Sequence, residues 1–90
     1  MPAMINDPEA VARFRNQLVE LTEHLREQMR RTDAAMEEAA AEWDDPQFKK
    51  YQAEFRQDRE VFDPLCDNIE EFEQGPLFRL QQILEEYGNL

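Results

Sequence analysis

Trp43-Asp44-Asp45-Pro46 is the stretch that decides the fold. A residue preceding proline is pushed out of the helical region, so a helix arriving from the N-terminal side has to stop here. Asp45 can cap a new helix whose first residue is Pro46, where a missing amide proton costs nothing. A corner this short leaves the two flanking helices antiparallel, as an αα-hairpin.

Working back from the corner, apolar or small residues fall at Val11, Phe14, Leu18, Leu21, Leu25, Met29, Thr32, Met36, Ala39 and Trp43. Steps of three and four residues mark one buried stripe on a helix. Asp7-Pro8-Glu9 repeats the cap-then-proline device, which predicts a helix over residues 8–42, roughly 50 Å long at 1.5 Å per residue. Working forward, Phe48, Tyr51, Phe55, Asp58, Phe62, Leu65, Ile69 and Phe72 keep the same spacing, apolar everywhere but Asp58. This predicts a second helix over 46–74, kinked near Pro64, because an internal proline removes one backbone hydrogen bond. Gly75 reads as a C-terminal stop and Pro76 as the start of a shorter third helix over 76–87, with Leu77, Leu80, Ile83, Leu84 and Tyr87 on one face. The expected architecture is therefore a single all-α domain over 1–90: a long antiparallel helical hairpin with a Trp-containing corner (43–46) and a shorter C-terminal third helix.

Folding the register about the corner sets Trp43 near Phe48, Met36 near Phe55, Met29 near Phe62, Leu25 near Cys66 and Leu18 near Phe72. It also sets Thr32 near Asp58 and Arg59, which either builds a polar layer into the seam or leaves Asp58 at the edge of the stripe.

Ten basic residues against 21 acidic ones give a net charge of −11. Nucleic acid and anionic membrane both require clustered Lys and Arg, so neither is expected as a direct partner. A single cysteine excludes an internal disulfide and fits a reducing cytoplasm. No apolar run approaches the roughly 18 residues of a membrane span, and residues 1–7 have no secretory-signal pattern.

Chemistry is hard to find. His24 is the one histidine, too few for a zinc site or a histidine-based triad. Cys66 stands among Asp63, Asp67 and Glu70, a setting that opposes thiolate formation, and reads as a small core residue. Paired acids such as Glu70-Glu71 point in different directions on a helix. No catalytic, cofactor-binding or metal-binding residue is assigned, no cofactor is expected, and the chain reads as a non-enzymatic module that presents helical surfaces to a protein partner. Met29, Met36, Phe48, Tyr51 and Phe55 are the candidate partner-binding residues.

A chain of ninety residues with two amphipathic helices, joined by a tight corner holding a lone tryptophan near its midpoint, resembles the WXG family of small helical-hairpin proteins from type VII (ESX-type) secretion systems. The resemblance covers roughly residues 8–74 and rests on Trp43, Asp44, Asp45 and Pro46, with Asp45 standing where the family has glycine. Tyr51 is followed four residues later by Phe55, where the family's export signal has an acid. The resemblance implies a secretion-associated substrate, carrier or assembly partner. It further implies a homodimer, or a heterodimer with a second hairpin protein, and export by a route independent of a signal peptide. The charge supports a different reading. Glu60, Asp63, Asp67, Glu70, Glu71 and Glu73 lie in a stretch free of bases, an acidic face suited to an inhibitor that mimics nucleic acid or to an antitoxin or immunity protein for a basic partner.

Overall fold

The computed structural model describes residues 7–43 and 45–88. Asp44, and the N-terminal residues on which the secretory-signal reading partly rests, lie outside the described residues. Helix α1 spans Pro8–Glu42. Asp7 caps it by accepting a hydrogen bond from the Glu9 amide at 3.0 Å, with proline in the first turn. Trp43 ends α1 in extended geometry, its amide still donating to the Ala39 carbonyl at 2.9 Å. Asp45 then repeats the cap, accepting from the Gln47 amide at 2.7 Å, and α2 runs over Pro46–Arg59.

Helix α3 covers Phe62–Phe72 and α4 covers Phe78–Gly88, with a π-helical turn, Glu73–Leu77, between them. The second arm is thus one bent rod lying antiparallel to α1. All of its parts from α2 to α4 pack on α1, with α4 beside the N-terminal end of α1. The chain is an all-α hairpin.

Two boundaries differ from expectation, and both concern proline. The kink falls at Glu60–Val61, upstream of Pro64. Pro64 occupies the first turn of α3, where an amide has no helical acceptor, and its ring would clash with the carbonyl four residues back, at Glu60. The helix therefore breaks there and restarts. At Gly75-Pro76 the helix does not stop. A glycine cap needs positive φ, and no residue among those described has it. Pro76 can offer no proton to the Phe72 carbonyl, and a π turn presents the amide one residue further on instead. The expected third helix is the continuation of the second.

That turn has a consequence for phase. Phe62 and Ile69 are seven residues apart and face the seam; the next seam positions are Leu77 and Leu84, so the step across the turn is eight. The extra residue of the π turn brings the leucines of α4 onto α1. Without it, the seam row would continue at Pro76.

The molecule is long and thin, 67 × 23 × 16 Å, with a radius of gyration of 20.1 Å against about 12 Å for a compact chain of this length. Among the described residues only Cys66, Leu77 and Leu84 are buried hydrophobics. Two buried polar residues join them. Thr22 (3% exposed) turns its hydroxyl onto the Leu18 and Val19 carbonyls of its own helix. Glu73 (6% exposed) meets Arg15, which donates from Nε at 2.8 Å.

Near the corner the seam keeps the expected register. Trp43 stacks on Phe48 with ring centroids 5.3 Å apart, and Met36 and Phe55 line one groove. The polar layer does not form. The Thr32 hydroxyl donates to the Gln28 carbonyl, Arg59 donates to Asp33, and Asp58 is exposed at the edge of the stripe.

Candidate interaction surface

The hairpin has two unlike flanks, and the residues on either side of the seam determine them. On one flank, arginines cross from each arm to carboxylates on the other. Arg26 donates to Asp67 at 2.9 Å and to Glu70 at 3.0 Å, with Asp63 at 3.9 Å. Arg59 donates to Asp33 at 3.0 Å and to Asp63 at 3.3 Å, and Arg56 donates to Glu37 at 2.9 Å. Hydrogen bonds to Asp67 and then Glu70 raise the Arg26 pKa, so its guanidinium holds its proton more firmly than usual; the bond to Asp33 does the same for Arg59. At the π turn, Arg15 reaches Glu73 and the Gln81 side chain, the latter at 2.8 Å, with its guanidinium 4.8 Å from the centre of the Phe78 ring.

This rewrites the acidic face. Asp63, Asp67, Glu70 and Glu73 each meet Arg15 or Arg26 of α1, Asp63 meeting Arg59 as well, and only Glu60 and Glu71 of the six stand exposed without an ion pair described. The stretch is free of bases in sequence but not in space.

The other flank is apolar. Side chains seven residues apart on a helix lie nearly one above another. On the second arm Tyr51, Asp58, Leu65 and Phe72 form such a row, continued past the π turn by Leu80 and Tyr87. On α1 the rows are Phe14, Leu21, Gln28, Ala35 and, nearer the seam, Leu18, Leu25, Thr32, Ala39. Phe14, Leu21, Leu65, Phe72, Leu80 and both tyrosines are exposed despite their size. Phe14 and Leu80 line one open groove with Val11 and Leu77. Isolated apolar side chains on a surface mean little, but a row of them along one flank makes a candidate interaction surface.

Of the partner-binding residues expected from sequence, Tyr51 lies on this flank. Met29, Met36, Phe48 and Phe55 are half-buried. Trp43 is 58% exposed at the corner, beside Asp45 and Pro46. Sequence reading placed Phe14, Leu21, Leu65 and Phe72 in the buried stripe, where the structure leaves them exposed at its edge, and it missed Arg15, whose partners are 58 and 66 residues away.

His24 is exposed, and Glu27 beside it binds Arg30 and Arg31, so that its carboxyl is held below the usual value, chiefly by the bond from Arg30. Among the described residues no group of three or more His, Cys, Asp or Glu is arranged to hold a metal ion, and no helix is long and apolar enough to cross a membrane. Fold and surface together define a two-helix hairpin with one ion-paired flank and one open apolar flank. No protein-family model matches the chain, and no curated protein or solved structure matches it.

Proposed function

We propose that this protein is a non-enzymatic interaction module that docks a helical protein partner on its apolar flank. The observation that carries the reading is the row of exposed Leu and Phe side chains opposite a flank whose charges are already paired. A two-helix hairpin buries one stripe per helix, and this one, among the described residues, buries only Cys66, Leu77 and Leu84 while Phe14, Leu21, Leu65, Phe72 and Leu80 stay exposed. A partner that adds two helices closes such a surface as a four-helix bundle. The resemblance to WXG hairpins extends this to a narrower reading, a substrate, carrier or assembly partner of a secretion system. The antiparallel hairpin and the exposed tryptophan at its corner support that extension. The pairing of Asp63, Asp67, Glu70 and Glu73 with arginines weighs against a nucleic-acid mimic, which needs rows of unpaired carboxylates.

A photo-crosslinking residue placed in the cell at Leu21 or Phe72, with Glu71 as the control, tests this. A single discrete adduct at Leu21 and Phe72 that is absent at Glu71 is expected. Equal, diffuse labelling at all three positions would overturn the proposal.

A further inference from the structure

We propose that α2 is a strap that unwinds from α1 as a unit while the rest of the hairpin stays closed, and that the seam residues it covers are reachable only then. The inference goes beyond the interaction-module reading and does not depend on it, since it concerns the seam near the corner and not the open flank.

Burial divides the hairpin at the Glu60–Val61 break. Every buried side chain among the described residues lies on one side of it: Thr22 of α1, opposite Ile69 and Glu73, and then Cys66, Glu73, Leu77 and Leu84 beyond Pro64 on the second arm. Helix α2 buries none. What ties it to α1 lies close to water. Arg56 and Glu37 pair with both side chains mostly exposed, and Asp33, which accepts from Arg59, is itself nearly half exposed. Pairs so open to water shift an opening equilibrium by at most about fivefold each. Trp43 stacks on Phe48 but keeps most of its own surface in solvent, and Met36, Phe48 and Phe55 are only half-buried.

The backbone separates the same unit. At the break the Val61 amide reaches back only three residues, to the Asp58 carbonyl at 3.3 Å, and no side chain caps α3. Unwinding of α2 therefore has no continuous ladder along which to spread into α3. A helix of 14 residues is at the margin of what holds in water alone, so α2 loses its own turns once it leaves α1. Helix α1 is different. It runs for 35 residues, and Ala34, Ala35, Ala39, Ala40 and Ala41 near its end keep it helical without a neighbour.

Both ends of α2 stay anchored, and the released chain still has slack. From Asp33 to Trp43 the α1 axis rises about 15 Å, whereas residues 45–60 reach about 50 Å when extended. Opening uncovers Met36, Phe48 and Phe55 and leaves α3, the π turn and α4 seated. Such sub-global openings are the ordinary way in which a weakly buried element departs from a better buried one.

Amide hydrogen exchange of the full chain, followed by NMR at one fixed protein concentration, tests this. Amides of residues 50–59 are expected to exchange more than tenfold faster than those of residues 66–72, with one common protection factor and a shallower dependence on urea. Protection of the two stretches that agrees within tenfold would overturn the strap. A second measurement uses Asp33→Asn combined with Glu37→Gln, which takes the carboxylates from both cross-arm pairs. This variant is expected to quicken exchange in 50–59 at least threefold, with 66–72 no faster and Cys66 no faster in its reaction with a thiol reagent. If it quickens 50–59 by less than threefold, or quickens both stretches alike, α2 does not open by itself and the proposal fails.

Discussion

Replacing Arg15 by alanine tests what holds the two arms together at the π turn. Glu73 keeps only 8% of its side chain exposed, and Arg15 supplies the cation it touches, at 2.8 Å. Removing one member of a fully buried pair costs about 3–5 kcal/mol, because the other charge stays behind without a partner. Arg15 is itself 21% exposed, and water would reach part of the vacated space, so the lower end of that range applies. Loss of the contact over Phe78 adds about 0.5–1 kcal/mol. We expect about 3.5–4 kcal/mol, which at 4–8 °C per kcal/mol for a domain of this size lowers the melting temperature by roughly 15–30 °C. The double variant Arg15→Met with Glu73→Leu removes both charges and should recover most of the loss, as replacement of buried pairs by apolar residues commonly does. The assay is urea unfolding followed by circular dichroism at one fixed protein concentration, since self-association would otherwise shift the midpoint. A loss below about 0.5 kcal/mol for Arg15→Ala, or a double variant no better than the single, would refute the reasoning.

Three further outcomes are expected. Deleting Pro76 removes both the proline and the extra residue of the π turn, so the row from Phe62 and Ile69 should run on regularly into α4; thermal melts should show a gain on the order of 1 kcal/mol, and collapse of the helical signal would show that the turn is needed. Thr22→Val should stay within about 1 kcal/mol of wild type in the same unfolding assay, since the lost hydroxyl bonds only carbonyls of its own helix. The Glu27 carboxyl, followed by NMR, should titrate below its ordinary 4.5; because its pKa is lowered in the folded chain, the stability it contributes is present above 4.5 and lost as the pH falls through the folded value, and Glu27→Gln should abolish that component.

How far the fold was legible depends on how local each signal is. Helix α1 could be read end to end, because Asp7, Pro8 and Trp43 act within one turn of where they stand and the apolar spacing between them never lapses. The seam register near the corner followed for the same reason, as Trp43 on Phe48 and the groove shared by Met36 and Phe55 show. Gly75-Pro76 misled because the pair resembles a stop, and only packing of Leu77 and Leu84 on α1 makes a π turn the better solution. The candidate surface was half legible. Its heptad rows are a local pattern, but the neutralisation of Asp67 and Glu70 by Arg26 joins residues 41 and 44 positions apart, a separation that composition and spacing do not encode. Thr22 escaped notice because the apolar spacing runs through Leu21 and Leu25 past it, and nothing local shows that its hydroxyl will bond its own backbone.

Cys66 is 1% exposed, near the middle of the second arm, and is the chain's one thiol. A reagent that modifies thiols cannot reach it while the arms are closed, so the rate of modification measures how often they part. The protein thus carries an intrinsic clock for its own breathing, with no label to add and no competing site to subtract. A slowing of that clock with rising protein concentration would mean that companionship between chains holds each hairpin shut.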